Sequence, residues 1–171
     1  METWDAITAR RNVRQFADQA IPDPDLDRVL EAGRIAPSSQ NNQPWDFVVV
    51  TDREMLRKLS TVWRGGGHIA HAAAAVAMVI PDEQEPRVRE RNRFDIGQAT
   101  MQMMIAAADR GIGSGHSAVG DQDLARSVLH IPGDKLLAFV IDLGYPADRP
   151  LKAGTRLKRR PYEEVVHRNG W

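Results

Sequence analysis

Clustered arginines near the start of the chain are the first residues whose type and spacing could do chemistry. Arg10, Arg11 and Arg14 fall within one short stretch, and Asn12 lies between them. A guanidinium group stays charged at all working pH values and can bind phosphate through two parallel hydrogen bonds. The cluster therefore predicts a phosphate site, although a solvated basic helix end would have the same composition.

A second basic cluster lies near the end of the chain. Lys158 and Arg159 stand there between Arg156 and Arg160. By the same chemistry this cluster predicts another phosphate-binding element. A solvated tail is the alternative, because chain ends are often weakly held.

An uncharged polar loop precedes the first predicted strand. Ser38, Ser39 and Asn41 lie between the apolar residues Pro37 and Trp45. Such groups hydrogen-bond without adding charge, which suits the carbonyl and ring-nitrogen edges of a flat heteroaromatic ligand. A surface turn that leads into a strand is the alternative.

A glycine-rich segment follows the longest predicted helix. Glycine lets a backbone approach a ligand closely and present its N–H groups, so Gly115, His116 and Ser117 are candidate ligand contacts. His116 is the histidine that we consider for catalysis. A plain loop is the alternative. The segment does not follow a strand, so we reject a dinucleotide-binding fingerprint.

Composition excludes several classes of protein. The chain has no cysteine, and its 23 basic and 23 acidic side chains give a net charge of zero. Thiol chemistry and cysteine-bound metals are excluded, and bulk charge gives no argument for nucleic acid. His68 and His71 lack a carboxylate at metal-site spacing, so no metal is expected. Neither a signal peptide nor a membrane-spanning run is visible, so we expect a cytoplasmic protein.

The elements that must hold these groups follow no regular strand–helix–strand rhythm, which favours an α+β fold in one domain, 1–171. Apolar patterning and capping residues predict both kinds of element. The predicted strands span 45–50, 73–80 and 136–143, and the predicted helices span 4–11, 94–110, 121–129 and, briefly, 162–167, with two more beginning near Asp23 and Asp52.

The long helix predicted over 94–110 is apolar on most of its sides. A helix of this kind must be buried, and a small monomer offers little room for it, so a dimer interface is expected there. Residues 81–93 before it are highly charged and are predicted to form a connector.

Taken together, the order and spacing of these motifs resemble the nitroreductase family over nearly the whole chain. The resemblance rests on five stretches, namely 10–16 (RRNVRQF), 30–45 (LEAGRIAPSSQNNQPW), 106–113 (AAADRGIG), 143–146 (LGYP) and 160–167 (RPYEEVVH). It implies an α/β sandwich with a central, mostly antiparallel sheet flanked by helices. It also implies an intertwined homodimer, with the tail 150–171 wrapped around the partner subunit.

The resemblance further implies FMN as cofactor, NADH or NADPH as electron donor, and a small-molecule acceptor. Two FMN sites would lie at the dimer interface. The implied cofactor-binding residues are Arg10, Arg11, Asn12 and Arg14 for the phosphate and ribityl chain, Lys158 and Arg159 from the tail, Pro37, Ser38, Ser39 and Asn41 from the partner subunit, Gly115, His116 and Ser117 beside flavin N5 and O4, and Arg64 at the pyrimidine edge.

This sequence departs from the family pattern in two places. His116 stands where an aromatic residue often sits, and it could add a proton donor. The segment 81–93 is short where many relatives carry a lid, which predicts either an open site or a site shaped by Arg87, Arg89, Arg91 and Arg93. Two other functions stay open: an FMN-dependent dehydrogenase or oxidase of a biosynthetic substrate, and a non-catalytic flavin-binding dimer.

Overall fold

Four antiparallel strands form the sheet in the described part of the chain. The computed structural model describes residues 1–154 and 159–171. The strands are β1 (Asp46–Val50), β2 (Ala74–Pro81), β3 (Gly113–Ser117) and β4 (Lys135–Gly144). Their order across the sheet is β1-β2-β4-β3, so the last strand in sequence lies inside the sheet. This α+β architecture confirms the predicted fold class.

Helices cover both faces of this sheet. They are α1 (Thr3–Ala9), α2 (Asp23–Arg34), α3 (Arg53–Leu59), α4 (Pro86–Asp109) and α5 (Gln122–Leu129), with short 3₁₀ turns at Ser39–Asn41, Gly67–His71 and Tyr162–Glu164. Asp52 caps α3, as the sequence predicts, by accepting a hydrogen bond from the Met55 amide at 2.8 Å. The last predicted helix is only one turn long.

Alternating side chains of β2 divide the interior into two cores. Val76 and Met78 pack with residues of α2 and α4, whereas Ala77 and Val79 pack with residues of α3 and α5. Burial on both faces explains why β2 reads as a continuous apolar run.

The prediction of a connector over residues 81–93 is wrong for most of that segment. Most of it is helical, because α4 begins at Pro86 and not near residue 94. Proline is favoured in the first turn of a helix, and the Glu85 carboxylate accepts hydrogen bonds from the Arg87 and Val88 amides. Only residues 82–85 connect β2 to α4.

The glycine-rich segment is strand β3, which was not among the predicted strands, so the alternative of a plain loop is wrong. Gly113 pairs with Gly144, and Ser117 pairs with Val140. A Cβ atom at Gly113 would lie 2.5 Å from the Val13 side chain, so close packing explains this glycine. Pairing with β4 outweighs the low strand propensity of glycine.

No helix in residues 1–154 or 159–171 is both long enough and apolar enough to cross a bilayer. The tail from residue 159 onwards is exposed. Its predicted place around a partner subunit stays a prediction.

Candidate functional site

The arginine cluster runs along the outer edge of β3. After α1 ends, Asn12 forms a parallel bridge with Ser114, and the Val13 amide donates a hydrogen bond to the Ser114 carbonyl at 2.9 Å. The Val13 side chain is fully buried, so backbone alternation turns Asn12 and Arg14 outward. Residues 10–14 thus lie beside the segment that contains Gly115, His116 and Ser117.

Arg11 is held by the chain that follows β4. Its guanidinium donates to Asp148 Oδ1 at 2.6 Å and to the Arg149 carbonyl at 2.7 Å. The hydrogen bond from Arg11 lowers the pKa of the Asp148 carboxyl below its ordinary value.

A basic cavity of about 390 Å³ opens beside this contact. It is lined by Thr8, Ala9, Arg10, Arg11, Arg149, Pro150, Lys152 and Gly154. Four of these side chains are cationic, so the cavity suits an anionic group. Arg149 and Lys152 were not among the residues predicted from the sequence.

Arg14 is the outer member of a chain of three side chains that ends inside the sheet. Its guanidinium contacts His68 Nε2, and His68 Nδ1 lies 2.7 Å from Asp142 Oδ2. The His68 side chain is 7% exposed, and the Asp142 side chain is completely buried. We call these three residues the Arg14–His68–Asp142 chain.

Gly115 leaves the space that the Asp142 carboxylate occupies. The two residues pair across β3 and β4, and a Cβ atom at position 115 would lie 2.3 Å from Asp142 Oδ2. Ser117 Oγ, on the same side of β3, lies 3.3 Å from His68 Nε2. Two of the predicted flavin contacts therefore also border the Arg14–His68–Asp142 chain.

His116 points to the opposite face of β3, because side chains alternate along a strand. Its ring lies against Phe139, with 4.8 Å between the ring centroids. Burial lowers the pKa of His116 below 6.5, Asp142 opposes this change, and Arg14 adds to it. The imidazole is therefore held towards its neutral form, which makes it a weaker candidate for proton donation at neutral pH.

The polar loop before β1 is fixed to α4 by Asp95. Both carboxylate oxygens lie 3.1 Å from the Ser39 amide, and Oδ1 accepts from Ser39 Oγ at 3.2 Å. Ser38 Oγ accepts from the Gln43 amide at 2.9 Å. Asn41 has a φ of 57°, a conformation that asparagine tolerates better than most residues. The loop therefore has a defined shape, with Pro37 and Asn41 exposed.

The predicted residues thus form two groups within the described chain. The first lies along β3 and contains Arg10, Arg11, Asn12, Arg14, Gly115, His116 and Ser117. Pro37, Ser38, Ser39 and Asn41 form the second group, and no hydrogen bond joins it to the first in the described residues. Arg64 is exposed in the turn after α3 and Arg159 is exposed in the tail, whereas Lys158 lies outside the described residues.

Sequence reasoning missed three side chains that organise these groups. Asp142 interrupts an apolar strand, and a carboxylate in such a run is a signal of a buried polar contact. His68 was considered only as a metal ligand, and Asp95 carried no recognisable signal. In the described residues no group of three or more histidine and acidic side chains could hold a metal ion.

Comparison with known proteins identifies the family of this chain. The sequence model of the nitroreductase family matches residues 7–79 and 62–145. A protein of Archaeoglobus fulgidus, described as an NADH dehydrogenase or NAD(P)H nitroreductase, is 33% identical over 169 residues, covering 96% of either chain. A Methanothermobacter thermautotrophicus protein with the same description is 32% identical over 175 residues, which cover all of this chain and 88% of the relative.

A solved structure has the same fold. The FMN-dependent nitroreductase of Clostridium difficile R20291 superimposes with a TM-score of 0.85 at 24% identity, covering 97% of this chain and 98% of the other. The protein belongs to the nitroreductase family, a family of NAD(P)H-dependent flavin oxidoreductases.

The residues present fit the cofactor of this family. FMN combines a phosphate group with a flat ring that has hydrogen-bonding edges. Arg10 and the basic cavity offer cations for the phosphate. The backbone around Gly115 and the anchored loop at Ser39 offer uncharged polar groups for the ring.

Proposed function

We propose that the protein transfers hydride from NADH or NADPH to a nitroaromatic, a quinone or a related acceptor by a ping-pong mechanism. It is an NAD(P)H-dependent flavin oxidoreductase with FMN as cofactor. When bound, FMN supplies the redox chemistry, because its N5 accepts and donates hydride. Residues 10–14 run beside Gly115, His116 and Ser117, and this placement supports the proposal most directly.

The side chains of the protein have binding and orienting roles in this proposal. Arg10 and Asn12 bind the phosphate and ribityl end, and Arg14 places a cation near the ring. Arg11 fixes residues 148–149 beside the basic cavity. Lys158 and Arg159 complete the phosphate site from the tail. Arg64 approaches the pyrimidine edge from its exposed turn.

We further propose a homodimer in which the partner subunit supplies Pro37, Ser38, Ser39 and Asn41. Large apolar side chains are exposed on the helical layer of α1, α2 and α4, where Trp4 is 72%, Ile35 61% and Phe94 66% exposed. Exposed apolar surface of this kind marks an interaction site. A second copy of the chain would cover this surface and bring its loop to the edge of β3.

The visible absorption spectrum of the purified protein, followed by anaerobic addition of NADH and then NADPH, tests the proposal. We expect the spectrum of oxidised flavin, and bleaching when the preferred donor is added. Steady-state rates at varied donor and acceptor concentrations then test the ping-pong mechanism, for which parallel lines are expected in double-reciprocal plots.

Other outcomes would point to other functions. Bound flavin that neither nicotinamide reduces would favour a dehydrogenase or oxidase of another substrate, or a non-catalytic flavin-binding dimer. A colourless protein that cannot be reconstituted with FMN would contradict the proposal.

A further inference from the structure

The Arg14–His68–Asp142 chain has a hydrogen-bonding direction that only one form of His68 satisfies. Arg14 can donate but cannot accept, so His68 Nε2 must present its lone pair to the guanidinium. The Asp142 carboxylate accepts, so His68 Nδ1 must carry the proton. The contacts therefore require the neutral imidazole with its proton on Nδ1. The doubly protonated ring would direct an N–H group at the cation of Arg14.

Asp142 sets this tautomer from inside the sheet. It lies in β4, between Ala75 of β2 and Gly115 of β3. Its Oδ1 has no hydrogen-bond partner among the described residues, although the side chain is completely buried. A buried carboxylate with an unsatisfied oxygen lowers the stability of the fold. An apolar side chain at position 142 would fill the same space without that cost. Its presence therefore points to a requirement other than packing.

The Arg14–His68–Asp142 chain reaches the surface at the edge of β3, where FMN is proposed to bind. Arg14 is exposed, and its neighbour Val13 is bonded to Ser114 of β3. The contact with His68 uses one terminal nitrogen of the guanidinium. The other N–H groups can face a ligand, so His68 limits the positions that the guanidinium can take.

We propose that His68 and Asp142 are positioning residues that hold the Arg14 guanidinium in its ligand-binding orientation at the flavin site. Asp142 fixes the tautomer and ring orientation of His68, and His68 fixes Arg14. This inference rests on the proposed function, because the ligand of Arg14 is taken to be FMN. In this proposal neither buried residue contacts the ligand, so their effect on binding passes through Arg14.

The test is a double-mutant cycle on FMN affinity, measured by quenching of FMN fluorescence. His68→Phe keeps a ring of similar shape but removes the contacts with Arg14, Asp142 and Ser117. It should raise the Kd for FMN about tenfold, since hydrogen bonds to charged groups are among the stronger ones. His68→Gln retains an acceptor for Arg14 and should recover part of the loss. In an Arg14→Ala background, His68→Phe should have no further effect.

His71→Phe is the matched control, because His71 lies in the same 3₁₀ turn and is exposed. It should leave the Kd unchanged. Circular dichroism of each variant checks that the fold is retained. Nitrogen-15 NMR of His68 in the protein without FMN should show a protonated Nδ1 and an unprotonated Nε2, and Asp142→Ala should abolish this preference.

Equal losses from His68→Phe in the wild-type and Arg14→Ala backgrounds would overturn the proposal, because His68 would then act independently of Arg14. A protonated Nε2 would also overturn it. If the wild-type protein binds no FMN, the proposed function and the positioning role at a flavin site both fail. The NMR result would then show separately whether Asp142 controls the His68 tautomer.

Discussion

Gly115 lies where a side chain has no room. Its backbone was predicted to approach the flavin, and the structure adds a second reason for glycine, the carboxylate of Asp142 directly across the sheet. Gly115 thus has two roles. Its backbone is proposed to approach the ligand, and its missing side chain leaves room for the buried carboxylate of Asp142. Substitution at this position should therefore affect stability even without ligand.

We expect Gly115→Ala to lower the free energy of unfolding by about 1–3 kcal/mol, the usual cost of overpacking. The new methyl group would meet Asp142, which has no space to move within the sheet. Gly133→Ala is the control, because a Cβ atom there meets nothing within 4 Å. Urea unfolding of the apoprotein measures both. Equal stability of the two variants would contradict the packing described for Gly115.

His116 gives a prediction with a definite direction in pH. Its folded-state pKa lies below the ordinary value of 6.5, first because of burial. Above pH 6.5 the ring is neutral in both folded and unfolded protein and contributes no pH dependence. As the pH falls through 6.5 towards the folded pKa, the unfolded chain binds more protons, and stability is lost.

NMR titration should therefore place the pKa of His116 below 6.5, and His116→Phe should weaken the loss of stability on acidification. Acceptor reduction by the same variant, followed from about pH 5 to about pH 8, tests the proton-donor role. An unchanged profile would remove that role. A raised pKa would contradict the partial burial of the ring against Phe139.

At the scale of elements, helix α4 anchors the polar loop that precedes β1. Asp95 lies in the third turn of α4 and is completely buried, with three hydrogen-bond contacts to Ser39. The extended helix places this carboxylate under the loop. Two elements that are far apart in sequence therefore act as one unit.

Asp95→Ala should lower the free energy of unfolding by about 1–3 kcal/mol, because the Ser39 amide and hydroxyl lose their acceptor. Ser39→Ala removes only the hydroxyl contact and should cost less. Hydrogen exchange at the Ser39 amide measures the local effect, and it should be faster in Asp95→Ala than in Ser39→Ala. The same exchange rate in both variants would show that Asp95 does not hold the loop.

The sequence predicts elements well where apolar periodicity and capping agree. Strands β1, β2 and β4 are such elements, and so is α3 with its cap at Asp52. Prediction fails where tertiary contacts decide. β3 is made of glycine, serine and histidine and is a strand only because β4 pairs with it. The first two turns of α4 are too charged to show an apolar face.

The residues of the candidate site also fall into those that the sequence could predict and those that it could not. Arginines, loop polar groups and glycines are visible as clusters because they are close in sequence. Asp142, His68 and Asp95 are single residues whose meaning depends on partners far along the chain. No local pattern can reveal a pair that is 74 positions apart.

At the scale of the whole molecule, the proposed dimer depends on the exposed apolar surface of α4. Met101→Glu would place a charge on this surface, where Met101 is 44% exposed. We expect a monomer by light scattering coupled to gel filtration, and weaker FMN binding, because each site would lose the partner's loop.

Ser127→Glu is the matched control on α5, which packs against the other face of the sheet. It should leave both the molar mass and the FMN affinity unchanged. A Met101→Glu variant that remains dimeric would show that this part of α4 is not the interface.

The position of β4 also bears on how the protein is made. This strand is the last in sequence of the four described strands but pairs with both β2 and β3, and it carries Asp142. A nascent chain that has not yet emerged from the ribosome through residue 144 cannot complete the sheet, and its apolar strands stay unpaired during that interval. FMN affinity should therefore arise late in synthesis and in one step. Stalled chains released before residue 135 should be degraded by proteases, and added cofactor should not protect them.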